Sequence, residues 1–230
     1  MDQLIVALDV DNAIHALELA SRLRGRVGAI KVGSTLFTAE GPSLVRRLVE
    51  LGHRVFLDLK FHDIPNQVAG AAASATKLGV WMITVHASGG TEMMRAAKRA
   101  SLAAAGGRTA PRVIAVTALT SLSDEALSDI GVGRPMQQHV EALAALAAQA
   151  GVDGVVASPQ ELTVLRPRFP AMTIVTPGIR AASAPGDDQS RTLSAREALA
   201  AGASYLVVGR PIVSALDPGK AAEEISRSCA

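Results

Sequence analysis

The sequence predicts a closed (β/α)8 barrel, an α/β fold built as a single domain over residues 1–230. Eight short apolar runs recur along the chain, each followed by a helical stretch, and glycines fall near the helix ends just before the next run. Continuous β-branched runs suit strands buried on both faces, as in a parallel sheet. Eight βα units in 230 residues sit near the short end of the barrel's size range. A doubly wound open sheet is the alternative, but eight units would make it unusually large. No interior linker is rich enough in Pro, Gly and Ser to divide the chain.

The runs begin at Leu4–Leu8, Ala29–Val32, Val55–Leu59 and Met82–Val85. They continue at Val113–Val116, Val152–Ala157, Thr173–Val175 and Tyr205–Val208. After the first run, Ala13, Ala16, Leu17, Ala20 and Leu23 recur at helical spacing, with Asp9 or Asp11 as the N-cap. The Ala- and Leu-rich segment from Pro135 to Ala150 suits a helix packed on a sheet. Gly25, Gly52, Gly79, Gly151 and Gly202 take the place of C-terminal caps. Two connections are longer than packing requires. Thr120 to Arg134 should hold a short extra helix, and Gly178 to Thr192, polar and glycine-bearing, reads as a lid or binding loop after the seventh strand.

Composition narrows the function. Hydrophobic residues are 49% and charged residues 19%, too apolar for disorder. No apolar run approaches the roughly 20 residues a membrane helix needs, and Met1-Asp2-Gln3 is not expected to open a signal peptide. The expectation is a cytoplasmic protein with no membrane partner. The net charge is +2, no Lys/Arg block tracks a phosphate backbone, and aromatics are 3%, so nucleic acid is not an expected partner. The one cysteine, Cys229, allows neither an intrachain disulfide nor a cysteine zinc site, and the five histidines show no metal-ligand spacing.

Barrel enzymes place their sites at the C-terminal ends of the strands. Here the apolar runs stop at Asp9, Lys31, Asp58-Leu59-Lys60, His86, Thr117 to Thr120, Ser158, Pro177-Gly178-Ile179-Arg180 and Gly209-Arg210. Only five of the 23 basic residues are lysines, and two of them, Lys31 and Lys60, stand at strand ends. Lysine, unlike arginine, loses its proton at accessible cost when its surroundings shift its pKa. Asp58 and Lys60 are two apart on a strand and so share a face. With Lys31 from the neighbouring strand they form alternating charges in the barrel mouth, too costly to bury without a task. Asp63 follows, in a place where Pro65 would also suit a helix start. His86 is read as a strand-end histidine outside the candidate set.

The segment Asp58-Leu59-Lys60-Phe61-His62-Asp63-Ile64-Pro65-Asn66 resembles the D-x-K-x-x-D-I-P-N signature of the orotidine 5′-phosphate decarboxylase family. Ala7-Leu8-Asp9, Lys31-Val32-Gly33, Leu119-Thr120-Ser121, Thr176 to Arg180 and Val208 to Ile212 match further family segments in order, across nearly the whole chain. The position after Asn66, commonly Thr in that family, is Gln67 here.

The resemblance implies conversion of orotidine 5′-monophosphate to UMP and CO2, without metal or cofactor, by a homodimer with shared sites. It implies that Lys60, Asp58, Asp63 and Lys31 are catalytic, with Asp63 supplied to the partner subunit's site. It implies substrate contacts from Asp9, Lys31, Asp58, Ile64, Gln67 and Thr120, and from Arg180, Gln189, Gly209 and Arg210 around the phosphate and the closing loop. Two rivals stand beside it. A Mg2+-dependent sugar-phosphate decarboxylase or aldolase of the same superfamily would carry a carboxylate where this chain has Lys31. A non-catalytic phosphate-binding barrel would have no need of Lys60 or Asp58.

Overall fold

The computed structural model describes residues 2–179 and 193–229. Eight parallel strands close on themselves in chain order: β1 (Leu4–Ala7), β2 (Ala29–Gly33), β3 (Val55–Phe61), β4 (Met82–His86), β5 (Arg112–Val116), β6 (Gly154–Val156), β7 (Thr173–Thr176) and β8 (Tyr205–Val208). Pairing of Ile5 with Val207 on β8 and with Ala29 on β2 closes the ring. The helices are α1 (Ala13–Leu23), α2 (Ser34–Glu50), α3 (Pro65–Lys77), α4 (Gly90–Ala104), α5 (Asp124–Asp129), α6 (Met136–Ala150), α7 (Leu162–Arg168), α8 (Ala195–Ala200), α9 (Arg210–Val213) and α10 (Pro218–Ser228). The short extra helix expected between Thr120 and Arg134 is α5.

Alternation along each strand sorts the core into two shells. Ile5, Ala7, Ala29, Phe56, Met82, Ile114, Val175 and Val207 fill the barrel interior. Their neighbours Val6, Ile30, Leu57, Ile83, Val113, Ile174 and Val208 face the helices. The lower end of the barrel is shut by the only Trp and the only Tyr in the chain. Trp81 and Tyr205 meet edge to face at 5.1 Å, Arg54 and Arg112 lie 5.0 and 5.6 Å from the Trp81 ring, and Arg112 donates to the Tyr205 hydroxyl at 2.7 Å. With that end plugged, the polar strand ends gather at the other.

Local chemistry explains most boundaries. Gly25, Gly52, Gly79, Gly151 and Gly202 all have positive φ, as expected where a helix must stop in a left-handed residue. The N-cap of α1 is Asn12, which accepts the His15 N–H, rather than Asp9 or Asp11. Asp9 faces Lys31 instead, and Asp11 accepts from the Asn12 side chain. Strand β6 is shorter than the apolar run because Val152 still closes α6, through the Ala147 carbonyl, and Asp153 pairs with Lys98. Strand β3 runs two residues further than expected, to Phe61.

Candidate active site

The extension of β3 builds the site. From Leu57 to Phe61 this strand advances four residues while β4, from Ile83 to Val85, advances two, a bulge in the ladder. Within it Lys60 takes φ 52°, the only non-glycine with positive φ among the described residues. That conformation costs about 1–3 kcal/mol and persists where the surroundings over-determine it. The bulge turns Lys60 inward above Asp58, and its Nζ lies 2.9 Å from Asp58 Oδ2.

Lys31 reaches the same oxygen from β2 at 3.6 Å and Asp9 Oδ1 from the end of β1 at 3.4 Å. The row Asp9–Lys31–Asp58–Lys60 thus alternates in sign across three adjacent strands. Asp58 is 8% exposed. Burial alone would raise its pKa, but the Lys31 and Lys60 ammoniums, with hydrogen bonds from Lys60 and Thr84, hold it below the ordinary carboxylate value. The row borders a cleft with about 330 Å³ of free space, partly open to solvent, whose wall also includes Gly33, Ser34 and Thr35. Added Cβ atoms on Gly33 and Gly209 would lie 3.1 Å from Lys31 Nζ and Asp9 Oδ2, so both glycines keep the row uncrowded.

The other candidates fall into three groups. Asp63, Ile64 and Gln67 stand exposed beside the mouth: the Asp63 carboxylate accepts the Ile64 N–H at 2.6 Å, and Ile64 is 65% exposed. Asp63 forms no ion pair with Lys31 or Lys60 of its own chain. Gly209 caps α9 and Arg210 opens it, directly above β8 and beside Asp9, while half-buried Thr120 lies in the turn after β5. Arg180 and Gln189 lie outside the described residues, as does most of the loop expected to act as a lid.

Sequence reasoning missed Thr84, fully buried on β4, whose hydroxyl touches both Asp58 and Lys60. Its signal was its place: with Met82 and His86 it shares the inward face of β4. Half-buried His86 lies 5.3 Å from His62, ring to ring. Its pKa is lowered, first by burial and then by His62 and Lys60. Among the described residues no three His, Cys, Asp or Glu side chains are grouped to hold a metal ion.

A closed parallel barrel with paired lysines and carboxylates in its upper mouth defines a class: a barrel enzyme that handles charge at a strand-end site. Residues 2–225 match the model of the orotidine 5′-phosphate decarboxylase / HUMPS family, and the chain belongs to that family. Orotidine 5′-phosphate decarboxylase of Moorella thermoacetica is 51% identical over 229 residues, covering 98% of this chain and 91% of the relative. The Alkalilimnicola ehrlichii protein of the same name is 52% identical over 229 residues, covering 99% and 96%. The crystal structure of orotidine 5′-phosphate decarboxylase from Lactobacillus acidophilus superposes with a TM-score of 0.89 at 39% identity, covering 98% of each chain.

Proposed function

We propose that this chain is a carboxy-lyase that converts orotidine 5′-monophosphate to UMP and CO2 in pyrimidine biosynthesis. The observation that carries the reading is the Asp9–Lys31–Asp58–Lys60 row, together with family membership over residues 2–225. When the C6–carboxylate bond breaks, its electron pair stays on C6 and the carboxyl group leaves as CO2. The pyrimidine ring stabilises that carbanion poorly, so the site must do so electrostatically. The Lys60 ammonium sits beside C6, favours the developing charge and then transfers a proton to it; solvent restores the lysine. Asp58 lies against the departing carboxylate and disfavours the ground state. Lys31 keeps Asp58 ionised and, with Asp9, meets the ribose hydroxyls.

Phosphate falls to the strand-eight end, where Gly209 offers a backbone N–H and Arg210 a charged fork, joined by Arg180 and Gln189. Thr120 meets the pyrimidine edge. The working form is a cytoplasmic homodimer in which Asp63, with Ile64 and Gln67, enters the partner's site. Support comes from the exposure of this whole run beside the mouth, with a large apolar side chain in its middle.

Catalysis by the chain's own groups fits the row, because the Lys31 ammonium already fills the gap between the Asp9 and Asp58 carboxylates where a cation would sit. Purified protein should therefore convert orotidine 5′-monophosphate to UMP, followed by chromatography, at an undiminished rate in excess EDTA. Turnover that appears only with added Mg2+ returns the Mg2+-dependent rival, and no turnover at all returns the non-catalytic one.

A further inference from the structure

We propose that Thr84 is a positioning residue for the decarboxylation, its single hydroxyl setting the geometry of Asp58 and Lys60. This rests on the reading of those two as the reacting pair. Thr84 Oγ1 lies 2.9 Å from Asp58 Oδ1 and 2.9 Å from the Lys60 backbone nitrogen. An ionised carboxylate can only accept and an amide N–H can only donate, so the hydroxyl donates to Asp58 and accepts from Lys60. Both bonds lie in the mouth of the barrel, where Thr84 itself is fully buried.

The reason for this contact is the bulge. Between the Leu57–Ile83 and Phe61–Val85 pairs the β3–β4 ladder is interrupted. The Lys60 N–H would be left without a partner there, and Thr84 supplies one from its side chain. The same contact braces the left-handed backbone of Lys60, which aims its Nζ at Asp58 Oδ2. Through the second bond Thr84 also occupies Asp58 Oδ1, leaving Oδ2 to the two lysines. β-branching suits the strand and restricts χ1, so the hydroxyl is held in one direction.

Thr84→Val keeps the shape and removes both hydrogen bonds; Thr84→Ser keeps the hydroxyl. For Thr84→Val, kcat should fall about thirtyfold, equivalent to about 2 kcal/mol. Affinity for UMP, measured by titration, should stay within about threefold, as expected for a residue whose side-chain bonds go to Asp58 and Lys60. The groups facing Asp58 are Lys31 from β2, Lys60 on its own strand and His86 beside Thr84 on β4, with Asp9 across Lys31. Loss of the Thr84 bond removes one cause of the low Asp58 pKa, so the acid limb of kcat/KM should move to higher pH.

Thr84→Ser should recover most of the rate and the wild-type pH profile. The proposal is overturned if Thr84→Val stays within about threefold of wild type, or if Thr84→Ser loses as much as Thr84→Val. Lys60→Ala, assayed alongside, separates the two readings: if it remains active, the assignment of the reacting pair fails, whereas a dead Lys60→Ala beside a fully active Thr84→Val defeats only the role of Thr84. If circular dichroism shows Thr84→Val unfolded, Thr84→Ala takes its place. Unfolding of both variants would mean that the hydroxyl serves the fold, and that too defeats the proposal.

Discussion

At the scale of the residue, the proposed chemistry turns on two ammoniums that share one carboxylate. Lys60 approaches Asp58 Oδ2 at 2.9 Å and Lys31 approaches the same oxygen at 3.6 Å. Lysine is suited to this place because its proton can leave, which an arginine at position 60 could not match. Lys60→Ala should abolish turnover while leaving UMP affinity within about tenfold, since the proposed role of Lys60 belongs to the transition state. Steady-state kinetics and a UMP titration check this. A fall in kcat of less than about tenfold, roughly 1.4 kcal/mol, would remove Lys60 as the proton donor.

At the scale of the element, tight approaches between strands decide what each may carry. Gly154 opens β6 against Thr173 of β7, and a Cβ there would lie 1.9 Å from the Thr173 carbonyl oxygen. That oxygen belongs to backbone in a closed ring and cannot move alone. Gly154→Ala should cost about 2 kcal/mol or more, a fall in melting temperature of roughly 4–8 °C. Gly133, exposed with nothing within 4 Å of an added Cβ, is the control, and Gly133→Ala should melt within about 2 °C of wild type. Equal melting temperatures for the two variants by differential scanning calorimetry would show that the β6–β7 contact relaxes freely.

The whole molecule poses the question of the second subunit. Asp63 stands outside its own chain's charge row and its carboxylate turns back on the Ile64 N–H. Under the proposed dimer, Asp63→Ala and Lys60→Ala homodimers should each be nearly inactive. In a mixed heterodimer one site carries both lesions and the other carries neither, so up to about half of the wild-type activity per dimer should return. Isolated heterodimers that stay inactive would place Asp63 in its own barrel.

Much of this was legible in the sequence. All eight apolar runs became strands in order, and the lysines at positions 31 and 60 came together at Asp58 in the candidate site, because a charge that interrupts an apolar run at a strand end has few places to go but the barrel mouth. The site was less legible where partners are distant in the chain. Thr84 looks like any strand threonine, and its value lies in facing Lys60, 24 positions away, across a bulge. Asn12, not Asp9 or Asp11, caps α1 because the helix starts at Ala13 and the cap is the residue immediately before it.

What the sequence by itself determined is therefore the alternation of elements, the closed parallel barrel and the identity of the charged strand ends. These follow from periodicity and from local backbone preference, which neighbouring residues set. Only the tertiary structure decided the register shift between β3 and β4, the left-handed backbone at Lys60 and the two-sided hydroxyl of Thr84. The physical reason is that a ladder's register and a buried hydrogen bond depend on which strand lies alongside, and that becomes defined only when the barrel closes.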